Sequence, residues 1–345
     1  LFALGHALFE QWREWGVEPA VLVGHSVGEI TAACAAGVLT VADAMRVIIA
    51  RGRLMQALPA GGAMAAIFAT ESWATTAIAD APDALAIAAV NGASEVVVSG
   101  DVQRLHRVLE RARLDGIATV ELPVSHAFHS PLMRPMVEAF ADSLAGIAFG
   151  RPSRPIVSTL TGRLVDDEMS RPDYWLRQVT SPVRFAEAIE AVRGRGEHVF
   201  LEFGTQPLLA PLVERTWAGA VTAHGLAAPD AWATLYVHGA AIDWPAVHRP
   251  FRRRRIALPC YPFQRERHWL PEAPRITTTA VTAPRPATLL GSRLPARADQ
   301  PDVMSWRADV DRPYLRDHRL MGVPVWPVAA QIGLAVDAAR DGLGQ

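Results

Sequence analysis

Ser26 lies between two glycines in the stretch VLVGHSVGEITAACAAG, residues 21–37. An apolar strand pattern precedes the serine and a helix of small residues follows it. A sharp strand-to-helix turn of this kind, called a nucleophile elbow, exposes the serine hydroxyl to a substrate. The pattern therefore predicts Ser26 as a nucleophile, against the alternative that it only caps the following helix.

A nucleophilic serine needs a base near neutral pH and hydrogen-bond donors for the oxyanion that forms. The stretch ELPVSHAFHSPLM, residues 121–133, places His126 and His129 in a loop between a strand and a helix, where a side chain can reach a cleft. An HxxH metal site is a competing interpretation, but no acidic or cysteine ligand lies nearby, so we expect no metal. Polar capping of the next helix at Ser130 and Pro131 is a third interpretation.

Arg51 lies on the predicted helix TVADAMRVIIARGRLMQAL, residues 40–58. At 100° per residue it falls at the edge of an apolar face, whereas Arg46 and Arg53 point away from that face. The predicted apolar face consists of Val41, Ala44, Met45, Ile48 and Met55. A guanidinium held against a core binds an anion, ideally a carboxylate with two parallel hydrogen bonds. A substrate carboxylate and a protein Asp or Glu both satisfy that requirement.

The order of elements predicts an α/β fold with an α/β-hydrolase-like core. Residues 1–60 alternate helix, strand, helix and helix, and the same style resumes after about residue 131. Between them, residues 62–124 have the order βαββαβ, which predicts an inserted ferredoxin-like subdomain. We assign residues 1–243 to one domain, residues 244–288 to a linker that ends in a Pro/Thr-rich stretch at 274–288, and residues 289–345 to the start of a further domain.

These motifs together resemble the acyltransferase domain of a type I polyketide synthase, a relative of malonyl-CoA:acyl-carrier-protein transacylases. GHSVGE resembles the nucleophile motif of the family at Ser26, HAFHS the motif whose closing histidine is the base at His129, and RGRLMQ the helix with a carboxylate-binding arginine at Arg51. VNGASEVVVSG and FLEFGTQPLL are also similar to family segments. In the latter, Thr205 and Gln206 replace the more usual Pro-His pair. The resemblance covers about residues 1–240.

The rest of the chain resembles the next parts of the same assembly line. LPCYPFQRERHWL is similar to the linker after an acyltransferase, and DHRLMGVPVWP is similar to the dehydratase motif HxxxGxxxxP, with His318, Gly322 and Pro327 in place. The resemblance implies the start of a hot-dog domain. Thr288 and Val328 depart from that pattern, and the chain ends before the second half of a hot-dog domain, so we expect His318 to be inactive here.

The resemblance implies a ping-pong acyl transfer with malonyl-CoA as substrate and no bound cofactor. His129 takes the proton of Ser26, the backbone N–H of Val27 stabilises the oxyanion, and Arg51 binds the free carboxylate of the substrate. The acyl group then passes to the phosphopantetheine thiol of an acyl carrier protein. In the family a second oxyanion donor comes from a GQG motif that precedes the position of residue 1, so we expect an N-terminally truncated domain.

The resemblance also assigns His126 and Phe128 to the substrate pocket. Phe128 occupies volume that an α-methyl group would need, and the HAFH form with Val27 after the serine is associated with malonyl units. A difference of one methylene is worth about 1–3 kcal/mol in a hydrophobic pocket. We therefore expect malonyl to be preferred over methylmalonyl.

Composition bounds the remaining possibilities. The net charge of −1 gives no support for nucleic-acid binding, and no run approaches the roughly 20 apolar residues of a membrane span. Two distant cysteines, Cys34 and Cys260, argue against a disulfide framework and for the cytoplasm. The expected partners are the carrier protein and neighbouring ketosynthase and dehydratase domains, in the biosynthesis of a polyketide secondary metabolite. A fatty-acid synthase transacylase, a serine hydrolase or thioesterase, and an inactive docking module are the alternatives.

Overall fold

The computed structural model describes residues 1–196, 198–254, 256–266, 289–295, 299, 304–307 and 313–343. The chain divides into two compact units, Leu1–Ala257 and Leu258–Gln345. The first unit extends beyond residue 243, the predicted end of the first domain. The Pro/Thr-rich stretch predicted at 274–288 lies outside the described residues.

The first unit alternates helices and short strands. Its helices are α1 (Phe2–Glu14), α2 (Gly28–Ala35), α3 (Val41–Gln56), α4 (Glu71–Ile78), α5 (Val102–Leu114), α6 (Val137–Leu144), α7 (Pro172–Thr180), α8 (Phe185–Arg193), α9 (Ala210–Thr216), α10 (Ala228–Val237) and α11 (Trp244–His248). Its strands are β1 (Leu22–Val23), β2 (Gly62–Ile67), β3 (Leu85–Gly92), β4 (Glu95–Asp101), β5 (Thr119–Glu121), β6 (Ile156–Ser158), β7 (Arg163–Leu164), β8 (Val199–Glu202) and β9 (Val221–His224).

Parallel strand pairs identify the first unit as α/β. β1 pairs in parallel with β6, in the register Leu22 to Ile156, and β8 pairs in parallel with β9. Parallel neighbours require a crossover, usually through helices that cover the sheet. The side chains of Ile156 and Val157 are accordingly sealed from solvent between the layers. The turn that carries Ser26 follows directly from the end of β1.

A second sheet is built from residues 62–121, in the strand order β3-β4-β2-β5 with antiparallel pairing throughout. Its elements follow the predicted order βαββαβ. Because successive side chains of a strand point to opposite faces, Ala65 and Ile67 of β2 pack beneath α4 and α5. Met64 and Ala66 point the other way and pack with Phe185 of α8. The sheet is therefore buried on both faces, and its second face joins the main core.

Helix α3 differs from its predicted orientation. Thr40 caps it by accepting a hydrogen bond from the N–H of Asp43. Its buried stripe, however, is Ala44, Val47, Arg51 and Met55. Val41 and Met45, which we expected on the apolar face, are 47% and 37% exposed. Arg51 thus lies within the buried stripe and not at its edge, because tertiary packing rotated the buried face away from the most apolar one.

Two further differences concern helices around the site. The helix expected after Ser130 and Pro131 begins as a 3₁₀ turn, Pro131–Met136, and becomes α-helical only at α6. Pro135 lacks the N–H that an α-helix would need there. Helix α7 has no counterpart among the sequence predictions, although it buries Tyr174, Trp175 and Gln178 against the core.

The second unit contains β10 (Ser292–Arg293), β11 (Trp306–Arg307), α12 (Pro313–Arg316), β12 (Arg319–Leu320), β13 (Val323–Pro324) and α13 (Val328–Leu343). β12 and β13 form an antiparallel hairpin whose turn residues Met321 and Gly322 both have positive φ, 51° and 81°. A two-residue turn of this kind favours glycine, which explains the glycine in the HxxxG pattern. Among the described residues, none of the helices has the length and hydropathy needed to cross a bilayer.

Candidate active site

Ser26 occupies a strained turn between β1 and α2. Its φ of +52° lies in the left-handed region that non-glycine residues rarely adopt. A Cβ on Gly24 would overlap the backbone of Gly28, so the chain can turn this sharply only with glycine at position 24. A Cβ on Gly28 would meet open space. The close approach of strand and helix therefore depends on the first glycine of the pattern, and it directs the Ser26 side chain outward.

The side chain of His129 meets the Ser26 hydroxyl. His129 Nε2 lies 2.7 Å from Ser26 Oγ, which is hydrogen-bond distance for a nucleophile and its base. His129 also has a left-handed backbone, with φ of +55°, in the loop between β5 and the 3₁₀ turn. Ser130 fixes this loop because its hydroxyl donates to the Ala127 carbonyl, 2.6 Å away, and accepts from the N–H of Leu132.

A backbone carbonyl orients the His129 ring. Nδ1 of His129 donates to the carbonyl oxygen of Ser181, at 2.9 Å. A proton on Nδ1 leaves Nε2 as the acceptor that faces Ser26, which is the tautomer that a general base requires. In serine hydrolases an acidic side chain orients the histidine. Here the neutral backbone carbonyl of Ser181, the residue after α7, has that position.

The His129 ring is held in its neutral form. Burial, reinforced by the positive charge of Arg51, lowers the pKa of His129 to about 3, although the hydrogen bond to Ser181 acts in the opposite direction. Near neutral pH the ring is therefore free to accept a proton. The effect of Arg51 on this pKa also shows that its charge lies within electrostatic range of His129.

Arg51 is buried without an ion-pair partner among the described residues. Its Nε atom is sealed from solvent and lacks a hydrogen bond. Burial lowers the pKa of Arg51 to about 10, against the influence of the nearby Glu29 carboxyl. The side chain is still cationic near neutral pH, so the site presents an unpaired positive charge suited to an anion.

Glu29 forms a fully buried network behind the elbow that the sequence analysis did not identify. Its Oε1 accepts hydrogen bonds from the Thr159 N–H at 2.7 Å and the Tyr174 hydroxyl at 2.8 Å. The Thr159 hydroxyl donates in turn to the Gly24 carbonyl. Burial raises the pKa of Glu29, and these hydrogen bonds oppose that rise. The network ties the first turn of α2 to β6 and α7.

Gln178 is a second residue that the sequence analysis missed. Its side-chain amide Nε2 donates to the backbone carbonyl of Ser26, at 2.8 Å, and the residue is buried. The sequence feature that could have indicated Gln178 is the run YWLRQVTSP. In that run Tyr174 and Gln178 are polar residues about one helical turn apart, on the buried face of α7. Buried polar side chains on a helix face need partners, and here the partners belong to the elbow.

His126 and Phe128 lie beside His129 in the same loop, but His126 is engaged within the protein. Its Nε2 lies 3.2 Å from the Leu58 carbonyl and its Nδ1 lies 2.8 Å from Ser125 Oγ. Phe128 is partly buried, with its ring 6.3 Å from the His126 ring. His126 therefore joins the loop to the end of α3, whereas Phe128 retains an accessible surface.

His25 connects the elbow to the antiparallel sheet. Its Nε2 lies 3.0 Å from Oδ1 of Asn91, near the end of β3, and its ring packs 5.3 Å from Phe185. Burial lowers the pKa of His25, so the ring is neutral. The two sheets are thereby held together next to the nucleophile.

The start of α2 supplies a donor beside Ser26. The N–H groups of Gly28 and Glu29 bond to the carbonyls of His25 and Ser26. Within the described part of the chain the Val27 N–H has no acceptor. A free N–H at a helix N-terminus favours negative charge. The described ranges contain no group of three or more His, Cys, Asp or Glu side chains arranged to hold a metal ion.

His318 lies in the second unit. It is exposed, and its Nδ1 donates to the Val325 carbonyl at 2.9 Å, across the β12–β13 hairpin. Its hydrogen bond is therefore local to that hairpin.

Comparison with known proteins identifies relatives of this arrangement. Residues 1–230 match the acyl transferase domain family. The chain is 37% identical over 362 residues to polyketide synthase GfsA of Streptomyces halstedii, covering 99% of this chain and 5% of that protein. It is 38% identical over 355 residues to mycoketide-CoA synthase of Mycobacterium tuberculosis, covering 99% of this chain and 8% of that protein. The chain thus spans only a small part of these curated relatives.

Solved structures agree with the sequence matches. The acyltransferase domain from the second module of the salinomycin polyketide synthase superposes with a TM-score of 0.71 at 38% identity, covering 76% of this chain and 64% of that one. The malonyl-CoA:acyl carrier protein transacylase FabD of Xanthomonas oryzae superposes with a TM-score of 0.65 at 30% identity, covering 70% of this chain and 78% of that one. The predicted α/β class is confirmed for the part of the chain that these structures cover.

Proposed function

The chain belongs to the acyl transferase domains of polyketide synthases, and we propose that it moves a malonyl group from coenzyme A to a carrier-protein thiol through an ester on Ser26. The observation that carries the proposal is the 2.7 Å contact between Ser26 Oγ and His129 Nε2. The contact supports His129 as the base for the hydroxyl that the strained turn directs outward.

Acylation of Ser26 is the first half-reaction. As Ser26 Oγ attacks the thioester carbonyl of malonyl-CoA, His129 Nε2 accepts its proton. The tetrahedral intermediate collapses, the C–S bond breaks, and the imidazolium returns the proton to the departing thiolate. Burial keeps the His129 ring unprotonated before the reaction, so Nε2 is available to accept the proton of Ser26.

The oxyanion of the intermediate lies next to the start of α2. The Val27 N–H supports its stabilisation, because among the described residues this donor has no competing acceptor. The positive end of the α2 dipole adds to that effect. A preorganised donor of this kind is worth about 2.7–4 kcal/mol in other acyl-transfer enzymes.

Transfer to the carrier protein is the second half-reaction and repeats the first in reverse. The phosphopantetheine thiol of the carrier loses its proton to His129 and attacks the malonyl ester, and Ser26 Oγ leaves with that proton. A neutral carbonyl from Ser181 supports His129 here. The thioester of the first half-reaction and the ester on Ser26 are both more reactive than an amide, so both require less assistance.

Arg51 restricts the acyl group to one with a free carboxylate. Its charge is buried, lacks an ion-pair partner among the described residues and lies within electrostatic range of the base. A guanidinium binds a carboxylate with two parallel hydrogen bonds. The second carboxylate of malonyl-CoA supplies that partner, whereas acetyl-CoA does not.

Phe128 restricts the acyl group further. Its ring lies beside His126 in the loop that carries the base, and it is only partly buried. An α-methyl group on the substrate would compete with this ring for space. We therefore assign malonyl as the extender unit, with methylmalonyl disfavoured by about 1–3 kcal/mol.

The remaining parts of the chain receive corresponding assignments. Residues 62–124 form a ferredoxin-like insert, supported by the strand order β3-β4-β2-β5. Residues 244–288 are the linker after the acyltransferase, and residues 289–345 begin a dehydratase-like hot-dog domain whose His318 takes no part in acyl transfer. The partners are an acyl carrier protein and the neighbouring ketosynthase and dehydratase domains of a cytoplasmic synthase.

Intact-protein mass spectrometry tests this function. The chain is mixed with malonyl-CoA, methylmalonyl-CoA or acetyl-CoA, next to a Ser26→Ala variant. We expect a malonyl adduct that is absent from the variant, a weaker methylmalonyl adduct and almost no acetyl adduct. If CoA is released without an adduct whenever Ser26 is present, the chain is a thioesterase and the proposal is wrong.

A further inference from the structure

Helix α7 contacts both members of the Ser26–His129 pair through its last turn. The Gln178 amide donates to the Ser26 carbonyl at 2.8 Å, and the Ser181 carbonyl, three residues later, accepts from His129 Nδ1 at 2.9 Å. The N–H of Ser181 donates to the carbonyl of Arg177. This hydrogen bond anchors Ser181 to the end of the helix. One short segment therefore contacts both residues, Ser26 through the Gln178 side chain and His129 through the Ser181 backbone carbonyl.

From this geometry we propose that Gln178 is a positioning residue for Ser26, holding the nucleophile at the correct distance from His129. The inference rests on the proposed function of this pair. The hydrogen bond of the Gln178 amide goes to the Ser26 carbonyl, so Gln178 acts through the backbone of Ser26 and takes no part in proton transfer.

The backbone of Ser26 is the part of the site that needs such support. Its φ of +52° is unfavourable for a residue with a Cβ, and a strained conformation persists only where surrounding contacts determine it. The Ser26 carbonyl accepts one hydrogen bond from the Glu29 N–H, as expected at a helix start, and a second from Gln178. Without the second bond, the peptide that follows Ser26 is fixed only by its own helix.

Burial makes the contact specific. Gln178 is 3% exposed, so water cannot replace its amide as a donor to Ser26. Tyr174, one turn earlier on α7, donates to Glu29, which belongs to the same elbow. The buried face of α7 thus presents polar groups at positions 174 and 178 to the first turn of α2.

The test replaces the donor and keeps the volume. Gln178→Met is compared with the wild-type chain and with Gln103→Met, a control on the exposed face of α5. Gln178→Asn retains the amide on a shorter side chain. The rate of Ser26 acylation by malonyl-CoA is followed by rapid-quench mass spectrometry, and folding by the urea midpoint. The rate at which a fluorophosphonate, a reagent for base-activated serines, labels Ser26 is measured in parallel.

We expect Gln178→Met to slow acylation and fluorophosphonate labelling about ten- to hundredfold, since a misplacement of 1 Å can reduce a rate about a hundredfold. The KM for malonyl-CoA should stay within about twofold, because Arg51 is untouched. Gln178→Asn should lie between wild type and Gln178→Met, and Gln103→Met should match wild type.

Other results separate the two proposals. Wild-type labelling rates in folded Gln178→Met, or a loss confined to KM, would overturn the positioning role. If Gln178→Met does not fold, the folded Gln178→Asn variant decides, and an unchanged labelling rate there has the same meaning. If malonyl-CoA fails to acylate even the wild type while the fluorophosphonate labels it faster than the variants, the function of the site is wrong and the positioning role stands.

Discussion

Replacement of Arg51 by methionine should remove selectivity for a carboxylate-bearing acyl group. Methionine keeps much of the length of the side chain but no charge, so the buried stripe of α3 stays filled. A hydrogen bond to a charged group contributes about 1.5–3 kcal/mol, and a bidentate pair has two. We therefore expect a loss of about 4 kcal/mol with malonyl-CoA, which corresponds to about a thousandfold in kcat/KM.

The full loss is expected because Arg51 is charged before the substrate arrives. Its pKa of about 10 lies well above the pH of the assay, so Arg51 does not need to take up a proton when the substrate binds. Its terminal nitrogens have no ion-pair partner to release in the described part of the chain. With acetyl-CoA the same variant should change little, since that substrate has no carboxylate.

The assay compares kcat/KM for malonyl-CoA and acetyl-CoA in three proteins: wild type, Arg51→Met and Arg53→Met. Arg53 lies on the same helix but is exposed, so its replacement should alter neither value. Equal losses for both substrates in Arg51→Met would mean that Arg51 only supports the fold. An unchanged preference for malonyl-CoA would refute the assignment of Arg51 as the carboxylate receptor.

Four further predictions rest on the same geometry. Because the pKa of His129 is lowered to about 3, kcat/KM should not fall as the pH is lowered through 6.5. A fall in kcat/KM with its midpoint between pH 6 and 7 would contradict a neutral, buried base. Below pH 6.5 the histidine at position 129 binds a proton in the unfolded chain but not in the folded one. Acid should therefore lower the free energy of unfolding of the wild type by up to about 1.4 kcal/mol per pH unit more than that of His129→Gln, as measured by urea unfolding between pH 6.5 and 3. Gly24→Ala should unfold at much lower urea concentration than wild type because its Cβ would overlap the backbone of Gly28. The free energy of unfolding of Gly28→Ala should stay within about 1 kcal/mol of the wild-type value. Similar urea midpoints for Gly24→Ala and wild type would show that the turn tolerates a Cβ at position 24. Phe128→Ala should raise methylmalonyl transfer relative to malonyl about ten- to hundredfold in a competition assay, and an unchanged ratio would remove Phe128 from substrate selection.

The sequence was most informative where local chemistry determines structure. The two glycines around Ser26, between a strand pattern and a helix of small residues, identified the turn, and the structure explains why position 24 must be glycine. The order βαββαβ was readable because apolar strand patterns and helical patterns follow one another along residues 62–124. Asn91 and Gly92 belong to the end of β3, and the turn to β4 lies at residues 93–94. His129 was readable because HAFHS lies in a loop between two recognisable elements.

Long-range contacts were beyond the reach of the sequence. Ser181 is 52 residues from His129 and Gln178 is 152 residues from Ser26, so no spacing rule connects them. The buried face of α3 was also wrong in the sequence analysis, since Arg51 is charged and Met45 is apolar, yet packing buries Arg51 and exposes Met45. A buried, unpaired charge violates the usual hydrophobic pattern, and such violations mark functional sites.

The central claim is that Ser26 carries the acyl group between two thiols. The most direct measurement isolates the chain after reaction with malonyl-CoA, maps the modified peptide, and then adds a phosphopantetheine-bearing acyl carrier protein. We predict a malonyl ester on the peptide that contains Ser26, and its transfer to the carrier at a rate that falls sharply in His129→Gln. Malonyl on another residue, or an ester on Ser26 that only hydrolyses and never reaches the carrier, would contradict the account.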